Sequence, residues 1–423
     1  MKICIYIDNA GIKDVDCRKL TSGNPGIGGT EYSILLLAEI YKKSYPENEL
    51  CLIVSEPGAL PPVDSVIVEK DVMNVPKIAK ACGAEILLIS SLYRGVPLQD
   101  EFFANVTQER IRTITWGHNF YLSDYCKRLA RCEYVRANVF VGRQQYDRYI
   151  DHKVIRKSTY IYNMYPTGSD TKRNDLLRPV VTYIGSLVPA KGFQVLAAVW
   201  KDILQHVPEA ELNVIGSGKL YSRNAALGTY GIADQAFEKQ IMPGLTDENG
   251  NILPSVHFLG VLGTEKDEVI KATSVGVVNP TGRTETFGIS ALDFESMGVP
   301  VVTIAKGGFL DTVSDRETGI LVRKPPMIVD AIIELLEDQK KNKEYGQAGI
   351  ELTRQFRPEK IIVQWNELFC KVCNDEKIDY IAPDSYMNTN LKWLRKFNHS
   401  IHAPFSVIGF ETFARKMLRR LGK

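Results

Sequence analysis

The chain has 423 residues, 44% of them apolar and 24% charged, with a formal charge of +2. A chain of this length can bury large cores and suggests two domains or more, at roughly 100–200 residues each. So small a net charge gives no sign of nucleic-acid binding, and no run reaches the roughly 18–20 apolar residues of a membrane span.

The opening MKICIYID runs directly into a strand pattern, with no basic, apolar leader, so a cytosolic location is expected. The eight cysteines are scattered, some inside strand-like runs (Cys4, Cys51), and reduced thiols are expected. Cys370 and Cys373 make the only CxxC; they lie in a helical pattern with no second ligand pair and read as structural.

In chain order, the first half alternates β-rich runs (KICIYI, LCLIVS, SVIVE, EILLIS, RIRTITW, NVFVG, STYIY) with helical periodicity, as in EYSILLLAEIYKK and RQQYDRYI. This is the βαβ pattern of a parallel sheet. The polar stretch 165–179 reads as a linker. The alternation then restarts with VVTYIG, FQVLAAVWKDILQH, ELNVIG, VHFLG, SVGVV, a helix after Phe287, and VVTIA. The expected fold is α/β, with two Rossmann-like doubly wound parallel-sheet domains facing a cleft. The expected boundaries are 1–170, 171–375 and a basic amphipathic tail at 376–423.

Open parallel sheets bind ligands beyond the carboxyl ends of their strands. The chemistry-bearing residues fall there. Gly28 and Gly29, with Thr30, open a helix about fifteen residues after the first strand, too late for a dinucleotide fingerprint. They suit a phosphate or sugar oxygen, or form only a glycine turn. His118 ends a strand beside Trp116 and is read either as structural or as hydrogen-bonding to substrate. Gly185 and Ser186 follow VVTYI. Lys191, before a helix, either reaches a diphosphate or is surface filler.

The segment NPTGRTETFGISALDFESMGVP carries the strongest signal. A helix starting near Phe287–Gly288 would turn its first amides toward an anion. Glu285 would accept hydrogen bonds from hydroxyls, and eight residues on, Asp293 would lie about 80° away around an ideal helix. Hydroxyls at two places with a diphosphate between them describe a nucleotide sugar. Each acid alone reads equally as a dipole-complementing or solvated residue.

Taken together, these residues resemble the retaining nucleotide-sugar glycosyltransferases of family four, whose fold is called GT-B. The resemblance covers roughly residues 1–370 and is strongest over 180–322. It rests on Glu285-Thr286-Phe287-Gly288-Ile289, Asp293, Gly298-Val299-Pro300-Val301-Val302, Gly307-Gly308, Asp311 and Thr318-Gly319. It implies that Glu285 contacts the donor sugar, Asp293 the ribose, Gly28 and Gly29 the donor phosphates and acceptor side, and His118 the transferred sugar. It also implies metal-independent transfer from a UDP- or GDP-sugar to a hydroxyl of a glycan or lipid-linked glycan, with no cofactor.

Two departures stand out. Ser186 occupies the position of the family's diphosphate arginine while Lys191 is retained, leaving Arg283, Arg94 and Arg143 as candidate replacements. The second acid is Asp rather than Glu. Residues 219–254 also form a longer connection than usual, with LTDENGNILP as an exposed turn.

Two other classes remain: a glycan- or nucleotide-binding protein without turnover, and a metal-dependent transferase using Asp14-Val15-Asp16. The tail from Asn390 holds eight Lys and Arg against one acid, so it carries +7 and the remainder about −5. In residues 404–423, Phe405, Ile408, Thr412, Phe413, Met417 and Leu421 fall near one helical face. That face either lies on an anionic membrane surface, making the protein peripheral at the inner membrane face, or packs back on the first domain.

Overall fold

The computed structural model describes residues 1–93, 95–166, 173, 178–219, 226–383 and 390–420. Arg94, Leu421 and most of the polar stretch 165–179 therefore lie outside the described residues. The chain forms two compact units. The first comprises Met1–Thr21, Thr30–Met164 and Pro358–Lys423; the second comprises Ser22–Gly29 and Tyr165–Arg357.

The strands of the first unit are β1 (Lys2–Ile7), β2 (Glu49–Val54), β3 (Ser65–Val68), β4 (Ile86–Ser90), β5 (Leu92–Tyr93), β6 (Val96–Pro97), β7 (Arg112–Gly117), β8 (Val135–Phe140) and β9 (Ser158–Tyr160). Seven make one parallel sheet in the order β3-β2-β1-β4-β7-β8-β9, while β5 and β6 form a small antiparallel pair. Runs such as ILLI in β4 are buried from end to end, as expected for a parallel sheet covered on both faces.

The helix Pro358–Cys373 closes this unit although it follows the whole second unit in sequence. Trp365 stands edge-on to Trp116 at 4.6 Å, and Phe369 edge-on to Tyr41 at 5.1 Å. Proline suits the first helical position, where its missing N–H costs nothing.

The tail then continues on the same unit. Arg395, wholly buried in the helix Lys392–Ser400, donates to the carbonyls of Asn390 (3.0 Å) and Arg148 (2.6 Å) and to Glu411 (2.7 Å), with Asp151 at 3.7 Å. The helix Val407–Arg420 turns Val407, Ile408 and Thr412 inward, and Thr412 accepts from the Ser123 amide. The face drawn from the sequence is thus divided: Ile408 and Thr412 are buried, and Phe405, Phe413 and Met417 are exposed. The reason is that Thr412 and Ile408 fit an inner surface already fixed by Arg395.

The second unit has β10 (Val180–Ile184), β11 (Glu211–Ile215), β12 (Val256–Gly260), β13 (Val275–Val277), β14 (Val301–Ile304) and β15 (Gly319–Val322), all parallel, in the order β12-β11-β10-β13-β14-β15. Neighbouring residues enter separate apolar clusters: Val302 packs with Leu196, Trp200 and Ile332, and Val301 with Ala291, Phe294 and Phe309. Alternation along a strand means that both sheet faces are covered. Sequence order reverses between β10 and β13, and a ligand crevice forms beyond strand ends at such a switch point.

Candidate functional site

The loops leaving β10 and β13 are neighbours at that switch point, and the residues singled out from the sequence lie on them. After β10 the chain runs through Gly185 and Ser186 into the 3-10 turn Pro189–Lys191. Gly192 then takes φ +76°, and a Cβ there would meet Thr281 and Pro280 at 3.0–3.1 Å. The lysine turn therefore rests directly on the loop after β13. Tyr183 fixes it from below by donating to the Lys191 carbonyl at 2.7 Å.

Across this contact, Lys191 Nζ lies 2.9 Å from Glu285 Oε2, with the two side chains 20% and 15% exposed. Asn279 braces the acid: its Nδ2 donates to the Arg283 carbonyl at 2.9 Å and to Glu285 Oε2 at 3.3 Å. Thr281 in turn donates to Asn279 Oδ1 at 2.8 Å. Asn279 and Thr284 both have positive φ, so the loop holds Glu285 in a tightly specified turn. Gly308 donates its amide to the Glu285 carbonyl at 3.2 Å, and no larger residue fits there, since a Cβ would lie 2.2 Å from the Phe287 nitrogen.

The helix itself is Ile289–Glu295, opened by Gly288 at φ +85°. Glu285 thus sits in the preceding turn, and the 80° relation to Asp293 drawn from an unbroken helix does not hold. Two buried residues set this start point: Phe287 stands edge-on to Phe356 at 5.3 Å, and Phe309 lies where a Gly288 Cβ would be. Thr286 is buried beside them, and Ile289 is half-buried.

Gly28 and Gly29 belong to the loop Ser22–Gly29, which folds with the second unit. Asn24 shapes the loop by accepting from the amides of Gly26 (3.0 Å) and Ile27 (2.9 Å). A Cβ on Gly29 would come 3.9 Å from Ile289, so the glycines reach the start of this helix.

Asp293 stands in a different cluster. It accepts from the Tyr165 hydroxyl at 3.0 Å and pairs with Lys266 at 3.4 Å, both side chains being largely buried. Lys266 is held above the usual lysine range: burial opposes its charge, and Asp293 and Asp267 together outweigh burial. Burial also pushes the Asp267 carboxyl up. Sequence reasoning missed Lys266 and Asn279; Asn279 lies just beyond β13, whereas Lys266 opens the short helix Lys266–Lys271 and carried no such signal.

Ser186 is buried and donates to the Ser217 carbonyl at 3.2 Å, joining the loops after β10 and β11 rather than presenting a polar end. Gly216, at φ +141°, lets these loops touch; a Cβ there would meet the Gly185 carbonyl at 1.9 Å. The long connection 219–254 returns to this place. Buried Glu238 accepts from the amides of Tyr230, Ile232 and Ala233, and Gly218 donates to Ile232. Within it, Asp247 accepts from Asn249 and Asn251 in an exposed turn.

Of the candidate replacement cations, Arg283 is exposed beside Glu285, while Arg143 of the first unit is bound to Asp147, Tyr160 and the Ala382 carbonyl. His118, also in the first unit, is buried against Trp116 with ring centres 4.5 Å apart. Burial pushes its pKa down to about 3, so it is neutral at ordinary pH. Asp16 is tied to Arg18 at 2.6 Å. Among the described residues no group of three or more His, Cys, Asp or Glu is placed to hold a metal. A cavity of the second unit, about 280 Å³, opens at the amino ends of the strands by Arg178, Glu209 and Ser274, away from these loops.

Residues 178–338 match the family of glycosyl transferases group 1. This group 1 segment contains β10 to β15 and both clusters just described, apart from the glycine loop and Tyr165. Over 227 residues the chain is 28% identical to a D-inositol 3-phosphate glycosyltransferase of Corynebacterium glutamicum, covering 51% of each. Over 202 residues it is 30% identical to a GDP-mannose-dependent alpha-(1-6)-phosphatidylinositol monomannoside mannosyltransferase of Mycobacterium tuberculosis, covering 47% of each. The chain thus spans about half the length of the curated relatives it matches. Among solved structures, Anabaena HepE in complex with UDP and glucose matches 88% of this chain and all of its own, with a TM-score of 0.61 at 15% identity. The fold is the two-sheet GT-B fold of these glycosyltransferases.

Proposed function

We propose that the protein is a retaining, metal-independent glycosyltransferase that takes a sugar from a UDP- or GDP-sugar and places it on a hydroxyl of a glycan or lipid-linked glycan, working at the inner membrane face. The observation that carries this reading is the Lys191–Glu285 pair at the switch point of the group 1 segment. A cation and a hydroxyl-accepting carboxylate at one strand-end crevice match the two halves of a nucleotide sugar, the diphosphate and the ring.

In this reading Lys191 leaves Glu285 for the diphosphate when donor binds, helped by Gly28, Gly29 and the amides around Thr286, Phe287, Gly288 and Ile289. Glu285 then orients the sugar hydroxyls, and Asp293, held by Lys266 and Tyr165, takes the ribose. The bond from the anomeric carbon to the leaving phosphate breaks as the acceptor oxygen bonds to that carbon on the same face. The acceptor's proton passes to the leaving phosphate oxygen. His118, neutral at working pH, serves as a hydrogen-bonding group and not as a proton carrier. In this reading the donor lies on the second unit, Ser22–Gly29 and Tyr165–Arg357.

The test is a screen of nucleotide sugars by thermal shift, followed by nucleotide release with an acceptor panel and NMR of the product anomer, with and without EDTA. An inverted product, or turnover that EDTA abolishes and Mg²⁺ restores, overturns the mechanism. Donor binding without release on any acceptor would make the protein a binder.

A further inference from the structure

The tail leaves an apolar surface that its own unit does not cover. Trp393 is 75% exposed, Phe397 57%, Ile401 54%, Phe405 50%, Phe410 57% and Phe413 64%. Trp393 and Phe397 lie one turn apart on the helix Lys392–Ser400, and Phe410 and Phe413 one turn apart on Val407–Arg420. Phe405, in the connection, stands edge-on to Phe410 at 5.5 Å. The inner faces are fixed by Arg395, which spans from one helix to Glu411 on the other, and by Asp151, which accepts from the Val407 amide at 2.7 Å and from Asn398 at 3.1 Å. With the polar side so anchored, the aromatic side is held outward. Ordinary monomers leave such side chains scattered singly, and exposed aromatics paired along two helices joined through Arg395 and Glu411 mark a docking surface.

Charge identifies the partner. Lys392 and Lys396 hold their ammoniums 5.7 and 5.8 Å from the Trp393 ring, and besides the buried Arg395, which takes up the tail's one acid, Glu411, the tail from Asn390 carries seven Lys and Arg. Aromatic rings flanked by lysines fit the boundary between lipid headgroups and acyl chains, where a ring is half immersed and an ammonium meets phosphate. A second copy would bring the same positive charge against itself.

We propose that the outer faces of these two helices form one interfacial docking surface for an anionic lipid bilayer, with Trp393, Phe397, Phe405, Phe410 and Phe413 immersed and Lys392 and Lys396 on the headgroups. This deepens the membrane part of the function proposed above. It moves the contact from one face of residues 404–423 to a surface shared by two helices.

Trp116, Trp200 and Trp365 are at most 1% exposed, so Trp393 is the sole exposed indole of the four in the chain. The full chain is mixed with phosphatidylcholine vesicles with and without phosphatidylglycerol. A blue shift and protection from iodide are expected only with the anionic lipid, and Trp393→Phe should silence that signal while sedimentation with vesicles persists. The triple substitution Trp393→Gln, Phe397→Gln, Phe413→Gln, all at exposed positions, should weaken vesicle binding at least about 30-fold. Lys392→Gln and Lys396→Gln should each weaken it about fivefold, and less in high salt.

Unchanged binding in the triple variant, or no anionic preference, overturns the proposal. Lipid-free self-association that the triple variant abolishes also overturns it, in favour of a second copy. Nucleotide release with a soluble acceptor, measured on the same variants, should stay at the wild-type rate. Vesicle binding without turnover in the wild type would sink the transferase reading alone, and turnover without vesicle binding would sink this one alone.

Discussion

If the proposed reading holds, neutralising Glu285 should separate nucleotide binding from sugar transfer, because the acid occupies the cation that this reading gives to the diphosphate. Two unit charges 2.9 Å apart attract by about 5–6 kcal/mol at an effective dielectric near 20. Desolvation of two largely buried groups offsets most of that attraction. The remainder expected for a charged hydrogen bond is about 1.5–3 kcal/mol. A donor must displace this contact before Lys191 can meet phosphate. Glu285→Gln keeps the shape and the Asn279 contact but removes the competing charge. Titration calorimetry should therefore find UDP or GDP bound as tightly as in wild type or up to about tenfold tighter. Transfer should fall at least tenfold, about 1.4 kcal/mol in the barrier, because the sugar hydroxyls lose their acceptor. Lys191→Met should do the reverse, weakening nucleotide binding first. Nucleotide affinity that falls in parallel with transfer in Glu285→Gln, with folding intact, would refute the reasoning and leave Glu285 a structural partner of the lysine.

Three further outcomes follow from buried charge. Lys266→Met leaves Asp293 and Asp267 without their shared cation; stability in urea should drop by about 1–3 kcal/mol, and Asp293→Asn in the same chain should recover part of it. His118 is neutral in the folded chain with its pKa near 3, so the unfolded chain takes up the proton first as pH falls. Its contribution is complete above about pH 6.5, about 2 kcal/mol is lost by pH 5, and the loss stops near pH 3. Hydrogen exchange of β7 amides in wild type against His118→Asn isolates this slope from that of His152, which burial lowers to about 4. Arg395→Met strands the buried carboxylate of Asp151 and half of the Glu411 contact. It should cost about 3–5 kcal/mol, read as faster amide exchange in Val407–Arg420, and a change under 1 kcal/mol would contradict the anchor described here.

The two sheets were legible because most strands are β-rich runs of three to six residues between turn signals, and both cores lie on the alternating faces of those runs. β15 escaped notice as a strand because GILV begins with glycine and follows a turn, and it pairs with β14 only through contacts remote in sequence. Local pattern also carries no record of partnership across the chain. Nothing in PEKIIVQW says that Trp365 will meet Trp116, and nothing in NPGIGG says that the glycines will fold against Ile289. The candidate site residues divide along the same line. Glu285 and Lys191 stood out because they lie in loops after strands, and Glu285 sits in a run of glycines and turn residues. Lys266 did not, because a lysine opening a short helix looks like any solvated residue until burial and two aspartates surround it. Burial likewise turns His118 from a titrating group into a neutral one, although its sequence neighbourhood is unchanged. The tail makes the point in reverse: helical periodicity placed Ile408, Thr412 and Phe413 together, and a single buried arginine decides which of them faces the protein. Amphipathic period supplies an angle, whereas the anchoring charge supplies its origin, and only the second tells an inward face from an outward one.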